Sequence, residues 1–239
     1  MTKTNEIRAL KPREPKTEQL IVPLIGTSPL IVHRFSEKAK KEMLEKQTKT
    51  ARGQKEARDP AAEAAAGEHL LPSGRPGFPV VGFKAALVDA ARTVAGFKMT
   101  EIRQAVAVHG EPSAPVATAF EGALTRDMLC EIVVPPSERN IREDVVKIAM
   151  GTSMLRYRYE YARWATLLHV TYNAEFMSED QLAQIIYEAG SAVGVGEWRP
   201  ERGGIYGTFR IGNMEELEAL VRQRDEEETA AARSKVRVA

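Results

Sequence analysis

The residues best suited to proton transfer or nucleophilic attack are scattered along this chain. His33, His69, His109 and His169 are the four histidines, and none has the His-x-His or His-Glu-x-x-His spacing that gathers a metal. His169 sits in a β-rich run, where an imidazole usually belongs to a core. His33 follows an extended run and is the candidate general acid or base for RNA cleavage. The single cysteine, Cys130, lies in the apolar run 129–134, away from the cations that make a thiol nucleophilic. No nucleophile elbow and no Gly-Lys-Ser/Thr phosphate loop occurs. These residue types imply no metal and no cofactor, and they turn attention from catalysis to binding.

Two constellations suit binding. Residues 194–207, GVGEWRPERGGIYG, concentrate glycine beside charge and aromatic surface. Glycine lets another chain approach the backbone closely. Arg199 and Arg202 offer charge to phosphate, Trp198 and Tyr206 offer ring faces to bases, and Gly203 and Gly204 leave room for both. A dinucleotide fingerprint is excluded, because position 199 is Arg and the stretch follows a helix. The second constellation is RYRYEYARW, residues 156–164. In a strand, Tyr157, Tyr159 and Tyr161 share one face, while Arg156, Arg158 and Glu160 share the other. A basic face beside an aromatic ladder suits single-stranded nucleic acid; equally, the tyrosines could pack on helices while the arginines face water.

Several elements must position these residues. Residues 1–17 mix charge and proline and read as a flexible arm. A strand begins at 18, with Pro23 placing it at an edge or bulge. Extended chain resumes at 30–33. An Ala-, Glu- and Arg-rich stretch within about 36–76 reads as a mobile insertion. Phe83, Ala86, Leu87, Ala90, Ala91 and Val94 then form one helical face. Residues 105–109 and 129–134 read as strands, and 155–161 with 165–172 as a hairpin bent near Arg163-Trp164. Ser178 and Gln181 have the spacing of a capping box. The helix they open carries Leu182, Ile185, Ile186 and Ala189. A final strand covers 206–211, followed by a charged helix and tail over 213–239.

The expected fold is therefore α+β and ferredoxin-like: a βαββαβ antiparallel sheet backed by two helices, with long insertions. The core spans 18–212 and carries a second, β-rich insertion at about 110–164.

Of the 239 residues 43% are hydrophobic, enough for one sizeable domain. Lys and Arg number 34 against 33 Asp and Glu, so the net charge of +1 allows a polyanion site only as a local patch. One cysteine fits a reducing cytoplasm. The polar start and the lack of a long apolar run predict no signal peptide and no membrane span.

Three segments resemble the RAMP superfamily, the ferredoxin-like RNA-binding subunits of CRISPR effector complexes, or a phage-encoded or stand-alone relative of them. They are LIGTSPL at 24–30; FPVVGFKAAL at 78–87, with Arg92 beyond it; and the glycine-rich loop and strand at 194–210. Val80-Val81-Gly82 stands where that family commonly has Gly-Ser-Ser. The resemblance implies a non-cleaving, backbone-type subunit with Lys84, Arg199, Arg202 and Arg210 near nucleic acid. The expected partner is single-stranded RNA, or else DNA, bound by a homo-oligomer or multi-subunit complex. A phage-type structural or single-strand annealing protein is the alternative, and a metal-independent ribonuclease using His33 the third.

Overall fold

The computed structural model of the chain describes residues 14–34, 59–94, 96–117, 124–147 and 153–238. The expected arm and the first part of the expected insertion lie mostly outside them. The central sheet contains β1 (Thr17–Gly26), β5 (Val106–His109), β12 (Ala165–Asn173) and β13 (Phe209–Ile211), in the order β13-β1-β12-β5. Every neighbouring pair is antiparallel. The β1–β12 ladder is the longest contact in this sheet, running from Thr17↔Asn173 to Ile25↔Ala165.

Alternation along β12 decides what covers each face. Leu168, Val170 and Tyr172 join the main core with Leu24, where α2 (Val80–Ala90) contributes Phe83, Ala86 and Leu87. Leu182, Ile185 and Ile186 enter the same core from α4 (Glu179–Glu188). The opposite face buries Ala165 and Val133 against Leu217 of α5 (Met214–Val238), with Leu167, Leu220 and Val221 packed around them.

The capping box is formed as the sequence predicts. Gln181 N donates to Ser178 Oγ at 3.3 Å, and Ser178 N donates to Gln181 Oε1 at 2.8 Å. Pro23 departs from expectation, because β1 is central. Pro23 O accepts from Gly212 N at 2.8 Å, so the missing Pro N–H points toward β13 as well. That strand ends at Ile211, so the missing N–H falls at the end of the β1–β13 ladder.

The chain between β1 and α2 supplies β2 (Leu30–Ile31), α1 (Pro60–Ala66), β3 (His69–Leu70) and β4 (Pro76–Pro79). Asp59 caps α1 by accepting from Ala61 N and Ala62 N at 3.0 and 3.3 Å. A short helix, α3 (Met99–Ala105), precedes β5. It shows little in the sequence because Ile102 is its one buried residue. Between β5 and β12 come β6 (Glu111–Pro112), β7 (Val116–Ala117), β8 (Leu124–Thr125), β9 (Met128–Glu131), β10 (Arg139–Lys147) and β11 (Ser153–Tyr161). These build the sheets β3-β4-β9-β6 and β10-β11-β2 and the pair β7-β8.

The expected hairpin of β11 with β12 does not form. β11 pairs with β10 and β2, whereas β12 enters the central sheet. Trp164 locks the crossing: it is 1% exposed, and its indole N–H donates to Ser28 O at 2.9 Å. Gly26 N donates to Trp164 O at 2.9 Å, and a Cβ on Gly26 would meet the indole at 2.3 Å. The final strand is also shorter than 206–211, covering Phe209–Ile211, although Thr208 O still accepts from Thr27 N at 2.9 Å in line with the β1–β13 register.

After α4 the chain passes over β13 so closely that a Cβ on Gly190 would meet Phe209 O at 2.0 Å. Replacing Gly190 with Ala is expected to lower stability by about 3 kcal/mol through overpacking, read as a lower urea midpoint with unchanged slope.

Candidate nucleic-acid interface

The loop at 194–207 is folded onto the turn that follows β1. Gly207 N donates to Pro29 O at 2.8 Å and Glu197 N to Ile31 O at 3.0 Å. Within the loop, Val195 N reaches Gly207 O at 2.9 Å and Tyr206 N reaches Trp198 O at 3.1 Å. Only glycine permits these approaches. A Cβ on Gly196 would sit 2.6 Å from Ile31 O, and one on Gly204 would sit 1.7 Å from Trp198 O. Gly203, by contrast, faces open space.

Between this loop and the start of α2 lies a cleft of about 260 Å³. Val81 and Gly82 form one wall, Gly196, Glu197 and Arg199 another, and His33 and His69 line it as well. Segments 78–87 and 194–210, distant in sequence, therefore meet at this cleft, and segment 24–30 docks on the loop through Pro29 O.

The expected cations are distributed differently. Arg158 is fully buried, not solvent-facing, and is bonded to Asp144 Oδ2 at 2.5 Å and to Glu197 Oε2 at 3.3 Å. Burying a guanidinium is tolerable only with such partners, so the expected basic face of β11 is turned inward. Arg156 lies on the same strand, opposite Asp144. Tyr161 is buried too, its hydroxyl donating to Glu68 Oε1 at 2.5 Å; burial and the Glu68 carboxylate push its pKa well above that of a solvated phenol.

Arg199 Nη2 and Arg202 Nε converge on Glu201 Oε2 at 2.7 and 3.2 Å. The Arg202 side chain nevertheless stays 68% exposed. Arg210 is bound to Glu216, which also accepts from Asn213 N at the start of α5. Lys84 does not reach the loop. Its Nζ donates to Ile102 O at 3.2 Å and to Val106 O, joining α2 to the α3–β5 junction. Burial and nearby Arg103 lower its pKa.

Trp198 is 42% exposed and is the one non-glycine residue with positive φ, 54°, among the described residues. Its ring lies 6.3 Å from that of Tyr206. Arg142, which the sequence reading overlooked, lies 5.4 Å from the Trp198 ring centroid and 4.9 Å from that of Tyr206. Its Nη1 donates to Glu160 Oε2 at 2.6 Å and to Tyr206 OH at 3.0 Å, and its Nε to Asp144 Oδ1 at 2.8 Å. Burial alone would lower the Arg142 pKa, but the bonds to Glu160, Asp144 and Tyr206 outweigh it and raise it. The available signal was the alternation of RNIREDVVK, which puts Arg142 and Asp144 on one strand face. His69, one of the four scattered histidines, has its Nδ1 3.5 Å from Asp127 Oδ2.

Burial shifts the pKa of both Cys130 and the candidate general acid or base His33. Burial pushes the Cys130 thiol pKa up to about 12, which leaves it protonated. Burial, then Arg156, lowers the pKa of His33 below the ordinary 6.5. Among the described residues no group of three or more His, Cys, Asp and Glu side chains could hold a metal, and no helix is long and apolar enough to cross a membrane.

Fold and site together define an α+β protein with antiparallel sheets and a glycine-rich loop docked on its first strand's turn. No family model matches the sequence, and no curated protein matches it. Among solved structures, the crystal structure of Cmr6 from Pyrococcus furiosus is similar with a TM-score of 0.36 and 11% identity, over 82% of this chain and 99% of that one. A likeness of that size leaves function to be argued from the chain's own residues.

Two outcomes follow from the buried charges. Asp144→Asn strips Arg158 of its nearest counter-charge and should cost about 3 kcal/mol, measured by denaturant unfolding. For His33, the unfolded state takes up a proton more readily than the folded one. Its contribution to stability is therefore present above about pH 6.5 and is lost as pH falls toward the lowered folded pKa. His33→Gln should flatten that part of a plot of Tm against pH.

Proposed function

We propose that the chain binds single-stranded nucleic acid, RNA in preference to DNA, at the face formed by the glycine-rich loop and the start of α2. It does so without catalysis and as one of several subunits along the strand. The observation that carries this reading is the meeting of two remote segments, 78–87 and 194–210, at one cleft, with segment 24–30 docked on the loop beside it. Those are the segments on which the likeness to RAMP proteins rests. We assign the central sheet as ferredoxin-like on its antiparallel order β13-β1-β12-β5, with helices between β1 and β5 and between β12 and β13.

The charge pairing refines the mode of binding. With Arg158, Arg199 and Arg210 matched by carboxylates, affinity comes more from ring faces than from phosphate. The dependence on salt is then shallow, a slope of about one to two in log–log form. Assembly of subunits is supported by the β10–β11 pair. Ile141, Val145 and Leu155 stand on one of its faces, 47%, 64% and 39% exposed. The same feature suits the alternative of a self-assembling structural protein, which predicts assembly with no affinity for nucleic acid.

Fluorescence anisotropy with labelled single-stranded RNA and DNA across a salt series tests the reading. Arg202→Ala should weaken binding and reduce the slope by about 0.7. Glu201→Gln, by releasing Arg199 and Arg202 from their shared carboxylate, should tighten it. Negligible binding at low salt, or a tightening variant that changes nothing, would count against the proposal.

A further inference from the structure

The two tryptophans have opposite environments. Trp164 is 1% exposed and hydrogen-bonded to Ser28 O, as a core indole should be. Trp198 keeps 42% of its surface in solvent while occupying φ 54°, a region that a bulky side chain rarely enters. Backbone strain that brings an indole outward instead of inward calls for a reason, and such strain gathers at binding sites.

The neighbours of Trp198 supply that reason. Arg142 is gripped on one side by Asp144 and Glu160, so its guanidinium cannot swing. On the other it lies within cation–π reach of Trp198 and Tyr206 and donates to the Tyr206 hydroxyl. Arg158 approaches the Trp198 ring as well, at 5.8 Å. The rings are inclined by 57°, so they do not stack on each other. Ile205, 73% exposed, lies in the same loop. The result is an indole with two anchored guanidinium groups within cation–π reach and 42% of its surface open to solvent.

We propose that Arg142 is a positioning residue, holding Trp198 as a platform on which one unpaired nucleobase stacks. This rests on the nucleic-acid reading above and adds to it the mode of contact. Stacking accepts any base, so the platform confers affinity for unpaired strands without choosing a sequence. Lys at position 142 would keep the charge but could not bridge Asp144, Glu160 and Tyr206 together.

The test follows Trp198 emission in the full-length chain, taken as the difference between proteins with and without Trp198→Phe. Two probes are titrated: a short single-stranded oligoadenylate, and an abasic phosphodiester strand of equal length. In the wild type, oligoadenylate should quench Trp198 and the abasic strand should not. Arg142→Gln should raise acrylamide quenching of Trp198 in the free protein about twofold. It should also weaken oligoadenylate binding about tenfold while leaving the abasic strand's affinity unchanged. Arg142→Lys should fail to restore either property. Tyr206→Phe, which keeps the ring and removes the acceptor hydroxyl, should move both readouts in the same direction by less, and it serves if Arg142→Gln does not fold. Salt-dependent binding by anisotropy with no change in Trp198 emission would overturn the platform and leave the nucleic-acid reading standing. An Arg142→Gln protein with unaltered acrylamide quenching and an unaltered preference for oligoadenylate would overturn the role of Arg142. Failure of the wild type to bind either strand would remove the nucleic-acid reading and the platform with it.

Discussion

A guanidinium with no access to solvent, that of Arg158, organises the region around the loop. A charge removed from water is stable only when opposite charges surround it in hydrogen-bonding geometry. Asp144 must therefore come from β10 on one side and Glu197 from the glycine-rich loop on the other. The β10–β11 pair and the loop are thereby fixed against each other, although Asp144 and Glu197 lie far apart in sequence. Arg142 extends the network one step outward, sharing Asp144 and adding Glu160 and Tyr206. Arg158 Nε is itself buried without a hydrogen-bond partner, so the network has no slack and the loss of any further member would be costly.

The second constraint is spatial. The loop can reach the turn after β1 only because its backbone carries no Cβ where it touches Ile31 O and where it folds back on Trp198 O. Glycine serves here mainly to let the protein's own chain close up, and only Gly203 is left facing open space. The surface that remains is consequently aromatic and apolar more than basic. Trp198 and Ile205 stand out of it, and Arg202 is the most exposed of the loop's cations. That surface offers ring faces more than free charge, in keeping with a chain whose positive and negative residues almost cancel.

What the sequence determined by itself was local. Periodicity in α2, the capping box at Ser178 and the apolar runs of β1 and β12 were legible because each depends on neighbours a few positions away. The glycine-rich segment was legible as a loop for the same reason. Tertiary structure alone decided which strands pair and which charges are spent on each other. The bend at Arg163-Trp164 reads as a hairpin until Trp164 is seen to fill the space beside Gly26 and carry the chain into another sheet. Arg156 and Arg158 read as an outward basic face until β10 arrives with Asp144. Carboxylates and arginines find each other through space, at separations of 14 to 39 residues around Arg158, and no periodicity in one chain encodes that distance. The physical reason is that desolvation and Coulomb attraction act between groups the fold brings together, whereas helix, cap and turn preferences act along the chain.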